Sequence, residues 1–169
     1  MTTKTTEDHL FFYMPNEKYG EFCNWFPSPF SLLKGEIYDT VFHNRPQDRK
    51  YHDAAIVLTF GCVEQAFMYC KALKFNDREI QARIMSTSNP KEQKKLGRSI
   101  YNFVVAEWDQ IKASIMLYVV TAKFSQNEKL KRKLRSTKDK ILVEAASRDR
   151  VWGIVHLNFV LNLVLIFIL

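Results

Sequence analysis

A chain of 169 residues, 47% hydrophobic and 25% charged, holds enough apolar material for one core and too little for two. Its five glycines and five prolines are scattered, which excludes a linker, a low-complexity tract or a repeat array. The formal charge of +7 is concentrated between Lys129 and Lys140, where Leu130 and Leu134 stand one helical turn apart and predict a short amphipathic helix with a solvated basic face. Such a face attracts phosphates, but no aromatic side chain is interleaved with these cations, as single-strand binding would favour.

The first residues, Met1 to His9, are polar and lack the apolar run of a signal peptide, so a cytoplasmic or nuclear protein is expected. Phe11 to Met14, Tyr19 to Phe26 and Phe30 to Tyr38 are broken by Pro15, Pro27, Pro29 and Gly35, and read as short strands and turns. The polar block that follows, Asp39 to Thr59, reads as an inserted surface loop. It contains His43 and His52, but no third ligand stands beside them and no metal site is assigned.

From Cys62 the periodicity becomes helical. Val63, Ala66, Phe67 and Cys70 share one face of a helix that runs to Lys74. Asn76 or Asp77 can cap a helix through Met85, and Asn89-Pro90 opens another for which Gly97 suits the far end. A longer helix is expected from about Ala106 to Phe124, lined inside by Trp108, Ile111, Ile115 and Ala122, and Ile141 to Ala145 reads as a short buried strand. Cys23, Cys62 and Cys70 form no Cys-x-x-Cys pair and read as reduced, buried small hydrophobes.

Chemistry-bearing residues are spread along the chain. Glu64 opens a helix among Cys62, Val63, Ala66 and Phe67, where a carboxylate is costly unless it is paired or used; a first-turn glutamate favoured by the helix dipole is the plainer alternative. Asp149 precedes Trp152 by less than one helical turn, so the two can line one pocket, or Asp149 can serve as a cap. Trp108-Asp109 alone would be a core tryptophan beside a surface acid.

Taken in order, these pieces carry a resemblance. Phe22-Cys23-Asn24-Trp25, then Ser28-Pro29-Phe30 and Gly35, resemble the Phe-Ser-Asn-Phe, Ser-Pro-Phe and Gly opening of the NADAR family, the YbiA-like N-glycosidases. Val63-Glu64-Gln65, ending in Lys71-Ala72, is similar to that family's Val-Glu-His/Gln helix. The match continues through Phe75-Asn-Asp77, Asn89-Pro90, Leu96-Gly97-Arg98, Trp108-Asp109, Ala122-Lys123-Phe124, Asn127, Leu142-Val143-Glu144-Ala145, Asp149 and Trp152-Gly153. Residues 9 to 153 are thereby identified as a member of the family.

The resemblance implies a single α+β domain over residues 1–154, predominantly helical, with a small N-terminal sheet region and the 39–59 loop inserted. It implies hydrolysis of the ribosyl N-glycosidic bond of ADP-ribosylated guanine or of phosphorylated ribosylamine intermediates of riboflavin synthesis, with no cofactor and no metal. The expected partners are a phosphoribosyl or ADP-ribosyl small molecule and ADP-ribosylated nucleic acid. An oxocarbenium-like transition state calls for a carboxylate near the anomeric carbon, and Glu64 and Asp149 are assigned to that work, with the division between base and stabiliser left open. Trp108 and Trp152 would wall the pocket; Asn24, Lys71, Arg98 and Lys123 would hold ribose hydroxyls and phosphate.

Beyond Ile154 the sequence departs from the family's Trp-x-Gly-x-Asn-x-Leu-Gly stretch and final Leu-Met helix. The hydrophobic tail 155–169 stands in its place, and Val151 to Leu169 carries no charged side chain. A divergent or alternatively encoded ending is the favoured reading. A membrane anchor, which the run just reaches at the ~20 residues a span requires, is opposed by its Asn and His residues; a replacement core element is the third reading. A catalytically impaired form that only binds nucleotide ligands, or is tail-anchored, is the alternative to an active hydrolase.

Overall fold

The computed structural model describes residues 5–42 and 54–145. Asp149, Trp152, the tail 155–169 and most of the polar block, residues 43–53, lie outside the described residues. The fold is predominantly helical α+β. In chain order the elements are β1 (His9–Phe12), β2 (Phe30–Leu33), α1 (Lys34–Phe42), β3 (Val57–Phe60), α2 (Val63–Lys74), α3 (Arg78–Ser86), α4 (Pro90–Arg98), α5 (Val105–Ser125), α6 (Glu128–Arg135) and β4 (Ile141–Glu144).

α2 lies at the centre, with every residue from Val63 to Cys70 buried, and packs against α1, α3, α4 and α5. The strands form two ribbons: β1 pairs in parallel with β4, Leu10 opposite Leu142, and β2 pairs antiparallel with β3, Phe30 opposite Phe60. The small sheet region is therefore completed from the far end of the described chain. Helix starts follow the capping chemistry: Asp77, Asn89 and Asn127 each accept a backbone N–H of the helix they precede.

Three local readings are corrected. Lys34–Phe42 is a helix rather than strand and turn, because Ile37 and Val41, one turn apart, are fully buried. Consequently Asp39–Phe42 belongs to α1 and Val57–Thr59 to β3, and the loop between them is shorter than 39–59. Gly97 does not end α4 but lies inside it, buried, where a Cβ would stand 2.0 Å from Met68 Sδ; it is a close approach of α4 to α2.

Gly20 has a harder constraint, since an added Cβ would lie 2.3 Å from the Pro15 carbonyl oxygen and 2.7 Å from that of Met14, both backbone atoms. Gly20→Ala is expected to cost about 2–3 kcal/mol of stability, measured by denaturant unfolding; a cost under about 0.5 kcal/mol would show that this turn yields freely.

Candidate active site

Glu64, second residue of α2, is 6% exposed. The first turn supplies a favourable helix dipole, and the Trp25 indole Nε1–H donates to Glu64 Oε2 at 3.1 Å. The Glu64 backbone N–H donates to the Asn24 carbonyl, also at 3.1 Å, so the 24–25 segment is fastened to the helix start twice. Trp25, which stands where the family pattern has phenylalanine, carries a donor that phenylalanine lacks.

Glu64 opens onto a cleft of about 690 Å³. Trp108, on the first turn of α5, packs its ring 5.1 Å from that of Phe67 and forms an apolar wall. Lys71 and Arg98 supply positive charge from α2 and α4, and Asn24, 9% exposed, lies beside Met116 with its Nδ2 3.9 Å from the thioether sulfur. The Lys71 Nζ donates to the Gly97 carbonyl at 2.8 Å and sits 3.9 Å from the centre of the Phe103 ring. Burial, reinforced by the Arg98 charge and opposed by Glu64, pushes the Lys71 ammonium down to about 8.

Of the residues the sequence nominates, Glu64, Asn24, Lys71, Arg98 and Trp108 line this one cleft. Lys123 does not. It is 1% exposed on α5, and its Nζ donates to the carbonyls of Glu21 at 2.7 Å and Cys23 at 3.0 Å. It braces the segment that carries Asn24 and Trp25, and its burial pushes its ammonium down to about 8. Burial pushes the Cys23 thiol up to about 11, so this cleft residue is a neutral thiol rather than a nucleophile near neutral pH.

Other residues that line the cleft are not nominated by the sequence, among them Trp25, Phe103 and Glu144. Trp25 and Glu144 fall inside quoted motifs, but nothing in the sequence tells that their side chains reach the cleft; Phe103, next to the start of α5, has no sequence signal at all. Among the described residues no group of three His, Cys, Asp or Glu is placed to hold a metal ion, and no helix is long and apolar enough to cross a membrane.

The family model described as the NADAR domain matches residues 11–158. The chain belongs to the NADAR family. It is 36% identical over 135 residues to Protein irg-1 of Caenorhabditis elegans, covering 79% of this chain but only 59% of that protein's length. It is 32% identical over 153 residues to N-glycosidase R617 of Acanthamoeba polyphaga mimivirus, covering 88% of this chain and 79% of the relative. The NMR structure of the Escherichia coli protein YbiA superposes with a TM-score of 0.69 over 99% of this chain and 88% of YbiA, at 22% identity, and so shares the fold. In this NADAR chain the buried Glu64 at the start of α2 lines a cleft with Lys71, Lys94, Arg98 and Lys112 and with the Trp25 and Trp108 indoles.

The charges around Lys71 give a signed expectation. Arg98→Gln removes a neighbouring positive charge and should move the Lys71 titration above pH 8, while Glu64→Gln removes a negative one and should move it below. NMR titration of the Lys71 side chain reads both; an unmoved titration in both variants would show that neither charge reaches Lys71.

Proposed function

We propose that this chain hydrolyses a ribosyl N-glycosidic bond, with ADP-ribosylated guanine or a phosphorylated ribosylamine as substrate. The observation that carries the reading is the buried Glu64 carboxylate, held by the Trp25 indole and opening onto a cleft with Lys71, Arg98 and Trp108. The names of R617 and YbiA, both N-glycosidases, support the bond class.

Cleavage breaks the bond from C1′ to nitrogen and adds the hydroxyl of water to C1′, and the nitrogen departs carrying a proton. Positive charge builds on the sugar as that bond lengthens, so a carboxylate fixed beside C1′ stabilises the transition state more than the substrate. Glu64 has that position in the proposal. A carboxylate pinned by an indole N–H has little to reorganise as the charge develops. Asp149 and Trp152, both outside the described residues, are the second carboxylate and a further aromatic wall of the proposal. Lys71 and Arg98 take the phosphate, as charge-assisted donors, and Asn24 takes a ribose hydroxyl.

Purified protein is to be incubated with a guanine-ADP-ribosylated oligonucleotide and, separately, with phosphorylated ribosylamine intermediates of riboflavin synthesis. Release of free base or amine is expected from one of them, and Glu64→Gln should lower kcat by about 10²-fold or more with unfolding behaviour unchanged. Folded protein that turns over neither substrate sinks the proposal. Because Lys71 loses its proton near pH 8, KM for the phosphorylated substrate should be flat below that pH and rise above it. Lys71→Arg, which stays charged, should remove the rise.

A further inference from the structure

We propose that the exposed face of α4 is a groove for a single strand of nucleic acid, opening into the catalytic cleft. Lys91, Lys94, Lys95 and Arg98 fall at helical spacing on one stripe of α4, while Gln93, Leu96 and Gly97 bury the other side. The stripe lines a second cavity of about 600 Å³, whose remaining walls are Trp25, Asn89 and Glu92. Glu92 is the single acid among those lining residues and lies 3.9 Å from Lys95, so four cations face one carboxylate and the groove stays positive.

Trp25, Lys94 and Arg98 line both cavities, which makes groove and cleft continuous with the indole at their junction. A phosphate-binding stripe beside an aromatic face is what sequence-tolerant strand binding uses: cations track the backbone and a base stacks on the ring. The length fits as well. From Lys91 to Arg98 the helix rises about 10 Å, longer than one diphosphate and long enough to meet successive phosphates of a strand.

The larger store of positive charge, on α6, is arranged differently. Lys131 and Lys133 there lie within ion-pair distance of Glu128 and Glu21, and Lys133 sits over the Tyr19 ring at 5.4 Å. α4 therefore joins charge, cavity and aromatic face in one place. The groove needs no turnover to act, so it extends beyond the hydrolase reading and is tested without it.

Full-length protein is titrated against a fluorescein-labelled, unmodified single-stranded DNA of about 12 nucleotides, with anisotropy read at several salt concentrations. Binding is expected, with Kd rising steeply with salt. Lys91→Gln/Lys94→Gln/Lys95→Gln should weaken it at least tenfold at low salt and reduce the log–log salt slope by about 2, as expected for three lost phosphate contacts on a single strand. The Lys91→Glu/Lys95→Glu variant, altered only at two solvent-exposed side chains, gives the same test should the triple variant misfold. Lys129→Gln/Arg132→Gln on α6 should bind like wild type. The oligonucleotide should also outcompete polyphosphate of equal charge, because only the strand can stack on Trp25. Absence of binding, loss of binding on changing α6 instead of α4, or equal affinity for polyphosphate would each overturn the proposal. None of these outcomes touches the glycosidase test.

Discussion

Burying the whole run from Val63 to Cys70 obliges its two polar side chains, Glu64 and Gln65, to find partners inside the protein. Gln65 does so with backbone: its Oε1 accepts the Gly61 N–H at 2.8 Å, and its Nε2 donates to the carbonyls of Ile84 at 3.0 Å and Thr87 at 3.2 Å. One amide therefore joins the end of β3 to the end of α3. A buried amide left unsatisfied costs on the order of 1–3 kcal/mol, so these two segments are held where they are. Glu64, one residue earlier and rotated by about 100° around the helix, is turned to another side, where the Asn24–Trp25 segment meets it. The position of that segment, and so of the cleft, follows from satisfying the start of α2.

The same demand explains the buried lysine of α5. The 20–25 segment is a single 3-10 turn, Gly20–Phe22, running into non-helical backbone pressed against the core, and carbonyls at its end need donors. Lys123 supplies them for Glu21 and Cys23 at the cost of desolvating its own ammonium, which lowers its proton affinity. Residues from α2 and α5 thus hold one short stretch from opposite sides, which fixes the Trp25 indole against Glu64. For the proposed hydrolysis, such preorganisation of Glu64 means that little need move as charge develops.

The helical frame is largely legible in the sequence, since caps such as Asp77 and Asn89 and the inner stripe of α5 follow local rules. Where local rules mislead, tertiary packing decides. Gly35 looks like a breaker, yet it sits in α1, where an added Cβ would meet Ala54 at 3.1 Å. Gly97 looks like a helix end but admits Met68. Lys123 is a phosphate ligand only by the family resemblance; its position one turn after Val119, on the inner face of α5, marks it as inward-pointing. Glu64, Asn24, Lys71, Arg98 and Trp108, which line one cleft, each stand in the ordered motifs of the sequence. The Trp25 to Glu64 bond joins residues 39 positions apart, and no local pattern signals it.

The cations of the site fall into two electrostatic regimes. Lys91 and Lys95 are exposed, so their pull on an anion is screened beyond about 8–10 Å at physiological salt and acts on capture and orientation. Lys71 is half-buried and already partly neutralised by its surroundings near pH 8, so an arriving phosphate raises its proton affinity and is bound more tightly for doing so. Arg98, shared by both cavities, links the two regimes. Affinity at the outer stripe should respond to salt, and affinity in the cleft to pH. That separation follows from burial alone, whichever anion occupies the cleft.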